Sequence, residues 1–225
     1  LEIGLIKKAI AVAEQAFIVT RKWIKPGRSE RQIAAYLEYQ MRKLGAEGPS
    51  FPTIVAVDAN ASLPHYRAGD REVTANSAIL IDWGARVEGY CSDLTRVLWT
   101  GKIPPQLGKV YQVVLDAQVT ALQAVKSDMA AAKLDAVARS IITRAGYGPR
   151  FGHGLGHGLG RDIHEAPGIS KRSKAQILAG MVFTVEPGIY LPGVGGVRIE
   201  DDVLVTPDGG EVLTTLGKTL QDMVL

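Results

Sequence analysis

The sequence predicts an α+β domain made of two architecturally similar halves around one shared site. Three observations predict it. Segments of helical periodicity come in pairs, and each pair is followed by strand-like runs. Those runs carry acidic residues where apolar ones are expected. No low-complexity linker separates the halves Leu1–Thr100 and Gly101–Leu225, although no clear sequence repeat relates them. At 225 residues and 46% hydrophobic, the chain can bury one large core.

Each element follows from local signals. Ile3, Ile6, Ile10, Ala13, Phe17 and Ile24 recur every three to four residues and predict an opening amphipathic helix, which Lys25-Pro-Gly-Arg28 ends. Ser29-Glu-Arg-Gln32 has the form of a capping box, with Ile33, Leu37, Met41 and Leu44 on one face of the helix it starts. Gly45 to Pro52 reads as loop. Thr53–Val57, Ala78–Val87 and Tyr90–Trp99 read as strands rich in Val, Ile and aromatic residues. Pro104-Pro105 opens a third helix whose inner face holds Val110, Val113, Val114, Ala117, Ala121 and Val125, and a fourth covers Ala131–Arg144. Gly146–Gly160 is dense in glycine and suits an irregular loop. Met181–Tyr190 and Gly196–Val205 close the chain as strands about a Pro/Gly-rich turn.

Composition excludes several classes. A formal charge of +3 comes from scattered Lys and Arg, without the basic stripe or base-stacking motif of a nucleic-acid binder. No apolar run reaches the roughly 18–20 residues of a membrane span. Leu1–Ala16 carries Glu2, Lys7, Lys8 and Glu14, unlike a signal peptide. The single cysteine, Cys91, allows no intrachain disulfide, fits a reducing, cytoplasmic setting and is expected in the core.

Five metal-capable residues stand in apolar or glycine-rich settings: Asp82 after Ile79-Leu80-Ile81, Asp93 in Tyr90-Cys-Ser-Asp-Leu-Thr-Arg96, His157 in Gly152-His-Gly-Leu-Gly-His-Gly-Leu-Gly160, Glu186 in Val185-Glu-Pro-Gly, and Glu200 in Val197-Arg-Ile-Glu-Asp201. An ionised carboxylate in such a place is costly unless paired or metal-bound. Four converging carboxylates repel, and divalent cations neutralise them. The hairpin turned near Val87–Gly89 places Asp82 and Asp93 opposite or diagonal on one face if its loop is even. Glu186 and Glu200 share a face if the turn at Leu191–Gly196 is odd, and Arg198 points the same way. The bland alternatives are two unrelated acids with one salt-bridged to Arg96, a phosphate cradle at the glycine-rich segment, and Arg198 as a supporting ion pair. Three of the four histidines, His153, His157 and His164, fall within Gly152–His164, and the fourth is His65. Four carboxylates to one imidazole make a hard donor set that suits Mn²⁺, with Co²⁺ or Zn²⁺ able to substitute.

Taken with Ser50-Phe-Pro-Thr53, Leu63-Pro-His-Tyr66, His164-Glu-Ala-Pro167 and Glu186-Pro-Gly-Ile-Tyr190, these motifs resemble the pita-bread metallopeptidases over nearly the whole chain, and most closely the prolidase and aminopeptidase P branch. The resemblance implies a pseudo-twofold pita-bread fold. It implies two metal ions, with Asp93 and Glu200 between them, Asp82 on one, and His157 and Glu186 on the other. It implies hydrolysis of peptides with proline at the second position, with Glu186 and His164 assisting catalysis and His65, His153, Arg198 and Tyr190 lining the substrate pocket. A homodimer is compatible with it. Full-length relatives carry an N-terminal domain, and this chain begins where that domain would end, so residues 1–225 are expected to be a single catalytic domain. The alternatives are a methionine-aminopeptidase-like activity, a metal-free creatinase-like hydrolase, and a peptide-binding module without catalysis.

Overall fold

A computed structural model describes all 225 residues. Four helices, α1 (Glu2–Trp23), α2 (Glu30–Lys43), α3 (Pro105–Ala124) and α4 (Ala131–Arg144), lie where periodicity places them. The capping box forms at α2: Ser29 Oγ accepts from the Gln32 amide, and the Gln32 side chain accepts from the Ser29 amide. Pro105 occupies the first turn of α3, where its missing N–H costs no helical bond.

In the first half, β1 (Ile54–Val57), β2 (Ala78–Trp83) and β3 (Leu94–Trp99) form an antiparallel sheet in that order. In the second, β4 (Gly156–Gly158), β5 (Glu165–Ile169), β6 (Val182–Val185), β9 (Asp201–Thr206) and β10 (Gly209–Val212) pair in the order β10-β9-β6-β4-β5. A hairpin of β7 (Gly188–Leu191) and β8 (Gly195–Arg198) extends the β6–β9 pair, and the Thr95–Glu200 bridge joins the halves. The four helices pack onto these sheets around one continuous core of 52 buried residues. Within it Phe17 stacks on Trp83 at 4.4 Å, and the Trp83 indole donates to the Ala13 carbonyl. Cys91 is buried, as expected. No helix is long and apolar enough to cross a membrane.

The strands differ from expectation in one systematic way. Each long run is broken beside a candidate metal residue. The first stops at Gly84, the second at Ser92-Asp93, the third at Glu186-Pro187 and the fourth at Ile199-Glu200. At Gly84 a Cβ would lie 1.8 Å from the Ser92 carbonyl oxygen, so only glycine lets the two segments approach. Pro187 has no N–H to give a ladder. Strands β5 and β10 were not foreseen, because Glu-Ala-Pro-Gly-Ile and Gly-Gly-Glu-Val lack apolar alternation and run largely exposed. The glycine-rich segment is also more regular than expected. It enters the sheet as β4, and a Cβ on Gly156 would meet the Thr184 carbonyl oxygen at 1.9 Å.

Candidate metal centre

Strand register brings the acidic residues together. Asp82 pairs with Thr95 across β2 and β3, so Asp93, two residues before Thr95, falls on the diagonal, one of the two expected placements. Glu186 and Glu200 are bracketed by the pairs Val185–Asp201 and Gly188–Arg198, which sets them opposite one another. The Thr95–Glu200 bridge then closes the distance between the two carboxylate pairs. His157 enters from β4. Its Nε2 lies 3.6 Å from Asp93 Oδ2 and 3.5 Å from Glu186 Oε1. One donor atom each from Asp93, His157 and Glu200 falls within 4.8 Å of the others, close enough to share an ion.

The protonation pattern agrees with a cation site. His157 Nδ1 faces the Gly158 carbonyl, which can only accept, so Nδ1 carries the hydrogen and Nε2 turns its lone pair to the carboxylates. Burial lowers the His157 pKa to about 4, which keeps that lone pair free at neutral pH. Burial, reinforced by Asp82 and opposed by Arg198, raises Glu186 to about 8. Burial and the neighbouring carboxylates push Asp93 and Glu200 well above the usual range. Asp82 Oδ1 and Asp93 Oδ1 are buried without any hydrogen-bond partner. Orphaned anionic oxygens in a converging set of hard donors are what a divalent cation satisfies, so the residues fit one.

A cleft of about 490 Å³ opens over this cluster. The five ligand candidates line it, together with His65, His153, His164 and Arg198. Arg198 reaches Asp82 through Nη2, Tyr190 through Nη1 at 2.7 Å and Thr95 through Nε at 3.1 Å. Tyr190 stands behind the cleft, with its hydroxyl between Arg198 and His153 Nε2 at 2.9 Å. The His164 ring meets the His157 ring edge-on at 4.3 Å. Arg96 pairs with Asp201 and not with Asp82 or Asp93, which removes the alternative of a salt-bridged hairpin.

Three features escaped the sequence reading. Thr95 donates to Glu200 Oε2 at 2.5 Å and accepts from Arg198, linking a ligand candidate to the cleft cation. Thr184 accepts from the His157 amide and donates to Glu186 Oε1. Phe51, Pro52, Ile54 and Ile163 give the cleft an apolar wall. A threonine in a β-strand carries no sequence signal of its own, although the run Asp93-Leu-Thr-Arg was visible.

The sequence profile of metallopeptidase family M24 matches residues 4–207. The chain belongs to metallopeptidase family M24. Among its M24 relatives, the Xaa-Pro dipeptidase of Pyrococcus furiosus is 43% identical over 97% of this chain and 63% of its own length. The X-Pro aminopeptidase of Thermotoga maritima superposes with a TM-score of 0.96 at 47% identity, over 100% of this chain and 63% of that one. The Xaa-Pro dipeptidase of Bacillus anthracis gives a TM-score of 0.97 at 43% identity, over 100% and 62%. This M24 chain therefore has the pita-bread fold, and it spans less than two thirds of the length of these relatives.

Proposed function

We propose that this M24 chain is a divalent-metal exopeptidase that cleaves N-terminal Xaa-Pro bonds. The observation that carries the reading is the cluster of four carboxylates, three of them buried and Glu186 partly so, with one imidazole lone pair at the floor of the cleft and two carboxylate oxygens unpartnered. Asp82, Asp93, His157, Glu186 and Glu200 would hold two divalent cations, and hardness of the donors favours Mn²⁺. When bound, such ions supply Lewis acidity toward a carbonyl oxygen and acidify water. The names of the M24 relatives support the Xaa-Pro specificity.

The chain's own residues divide the remaining work. Glu186, on the cleft floor, would take the proton of the attacking water and pass it to the leaving proline nitrogen. His164, exposed in the cleft beside His157, would donate to the oxyanion as the carbonyl carbon becomes tetrahedral. His65 and His153 would orient the peptide beyond the scissile bond, and Arg198, fixed by Tyr190 and Thr95, would hold Asp82 in place. The apolar wall of Phe51, Pro52 and Ile54 suits a pyrrolidine ring. A cytoplasmic setting accords with the lone reduced cysteine.

The test is hydrolysis of Ala-Pro and Ala-Pro-Ala by the Mn²⁺-loaded protein, with and without chelator. Chelator-sensitive cleavage is expected. The shorter peptide preferred means a dipeptidase, and the longer one an aminopeptidase. Cleavage of neither with metal bound overturns the reading.

A further inference from the structure

Two charged residues that touch neither the cleft nor the metal cluster organise the segment that carries His153. Asp135 and Arg139 stand one turn apart on α4 and form a two-pronged ion pair. Arg139 Nε lies 2.7 Å from Asp135 Oδ2, and Nη2 lies 2.8 Å from Oδ1. Asp135 is fully buried, and the Arg139 side chain is 19% exposed. A buried pair of this kind brings little net stability over an apolar one, so its use is sought in what it orders.

What it orders is Phe151–Leu155, which belongs to no helix or strand. Arg139 donates to the Phe151 carbonyl at 2.9 Å and to the His153 carbonyl at 2.7 Å. Its guanidinium covers the Phe151 ring at 4.1 Å, and that ring meets the His153 imidazole edge-on at 5.1 Å. Asp135 Oδ1 accepts from the Leu155 amide at 3.1 Å, while the Leu155 carbonyl accepts from the Glu186 amide at 2.8 Å. Gly152 and Gly154 flank His153, and glycine-rich backbone does not hold a conformation by itself. Of the clamped residues, only His153 and Gly154 line the cleft.

We propose that Asp135 and Arg139 are positioning residues: they clamp the glycine-rich segment from behind and set the place of the His153 imidazole in the cleft. The consequence for catalysis rests on the Xaa-Pro peptidase reading. The positional claim does not.

Arg139→Lys keeps the charge and loses the fork that reaches two carbonyls. With Mn²⁺ bound, its KM for Ala-Pro is expected to rise about tenfold with kcat within about twofold, the pattern of lost substrate positioning. His153→Ala should reproduce this, and the double variant should be no worse than His153→Ala. A full further tenfold loss on top of His153→Ala would overturn the proposal, as would an unchanged KM. The ring C–H resonances of His153 in the metal-free protein, assigned by their loss in His153→Ala, decide the positional claim without turnover. They should shift or broaden in Arg139→Lys while those of His65 stay. Unmoved His153 resonances overturn the clamp. A wild-type protein that cleaves neither peptide would sink the peptidase reading alone, leaving the clamp to this spectrum. If Arg139→Lys does not fold, Asp135→Asn is read the same way.

Discussion

The carboxylates facing the cleft and Asp201, packed behind it, live in opposite electrostatic conditions. Glu200 and Asp201 are adjacent. Glu200 has one hydroxyl donor, Thr95, and burial with nearby acids raises its pKa well above the usual range. Asp201 accepts from Arg96 at 2.7 Å, Gln118 at 2.7 Å, Thr214 at 2.6 Å and Lys218. Burial pushes Asp201 upward too, but Arg96 and Lys218 more than offset it and hold its pKa below normal. Asp202 does not line the cleft, yet its carboxyl is also raised by burial: it accepts from the Asp93 amide and its other oxygen has no partner. The lesson is that burial alone does not distinguish a structural acid from a functional one. The partner does: Asp201 is neutralised by Arg96 and Lys218, whereas Asp93, Glu186 and Glu200 form no ion pair with Lys or Arg, and Asp82 gives one oxygen to Arg198 and leaves the other unpartnered.

The largest expected effect separates the two regions directly. Asp93→Ala should abolish Mn²⁺-dependent hydrolysis of Ala-Pro, a loss beyond the roughly 10–100-fold usual for a residue behind a metal ligand. Its thermal midpoint without metal should hold or rise, since one repelling charge is gone. Turnover within tenfold of wild type would erase the distinction. Asp201→Asn should do the reverse. It leaves Arg96 buried without its counter-charge and should cost about 3–5 kcal/mol in urea unfolding, whatever the metal content.

A smaller effect comes from pH. Between pH 7 and 8, unfolded Glu186 is ionised, while the folded residue, raised to about 8, still holds its proton in much of the population. The native state then binds more protons, so stability falls as pH rises. His153 and His157, lowered to about 4 mainly by burial, are neutral when folded and nearly so when unfolded, and contribute little in this window. Chelator-treated protein should therefore lose about 1 kcal/mol from pH 7 to 8 in urea titrations, and bound Mn²⁺ should remove the loss. Rising stability in the chelated protein would contradict the crowded-acid picture. Below pH 6.5 the two histidines act with the opposite sign, since unfolding lets them take up protons that burial denies them. The smallest effect is expected at the seam of the comparison. Thr95→Val severs Glu200 from Arg198 and should lower kcat/KM about tenfold with little change in Tm.

Much of this was legible in order along the chain. The four helices, the Ser29 capping box and the acids breaking into Val/Ile-rich runs follow from periodicity and local chemistry. Parity about two turns placed Asp82 near Asp93 and Glu186 near Glu200, and the observed registers agree. Strands β5 and β10 were not legible, because their pairing depends on neighbours supplied by the sheet. Nor were the breaks at Gly84 and Pro187, which reflect close approach of distant backbone and a missing donor.

The sequence by itself determined which side chains could bind a metal, which segments would be helix, and which turn parities would face acids toward one another, since these depend on spacing within tens of residues. Only the tertiary structure decided that the Thr95–Glu200 bridge joins the halves, that Arg96 takes Asp201 and leaves Asp93 free, and that α4 holds the His153 segment. Those contacts link residues 14–105 positions apart across different elements, and no periodicity encodes them.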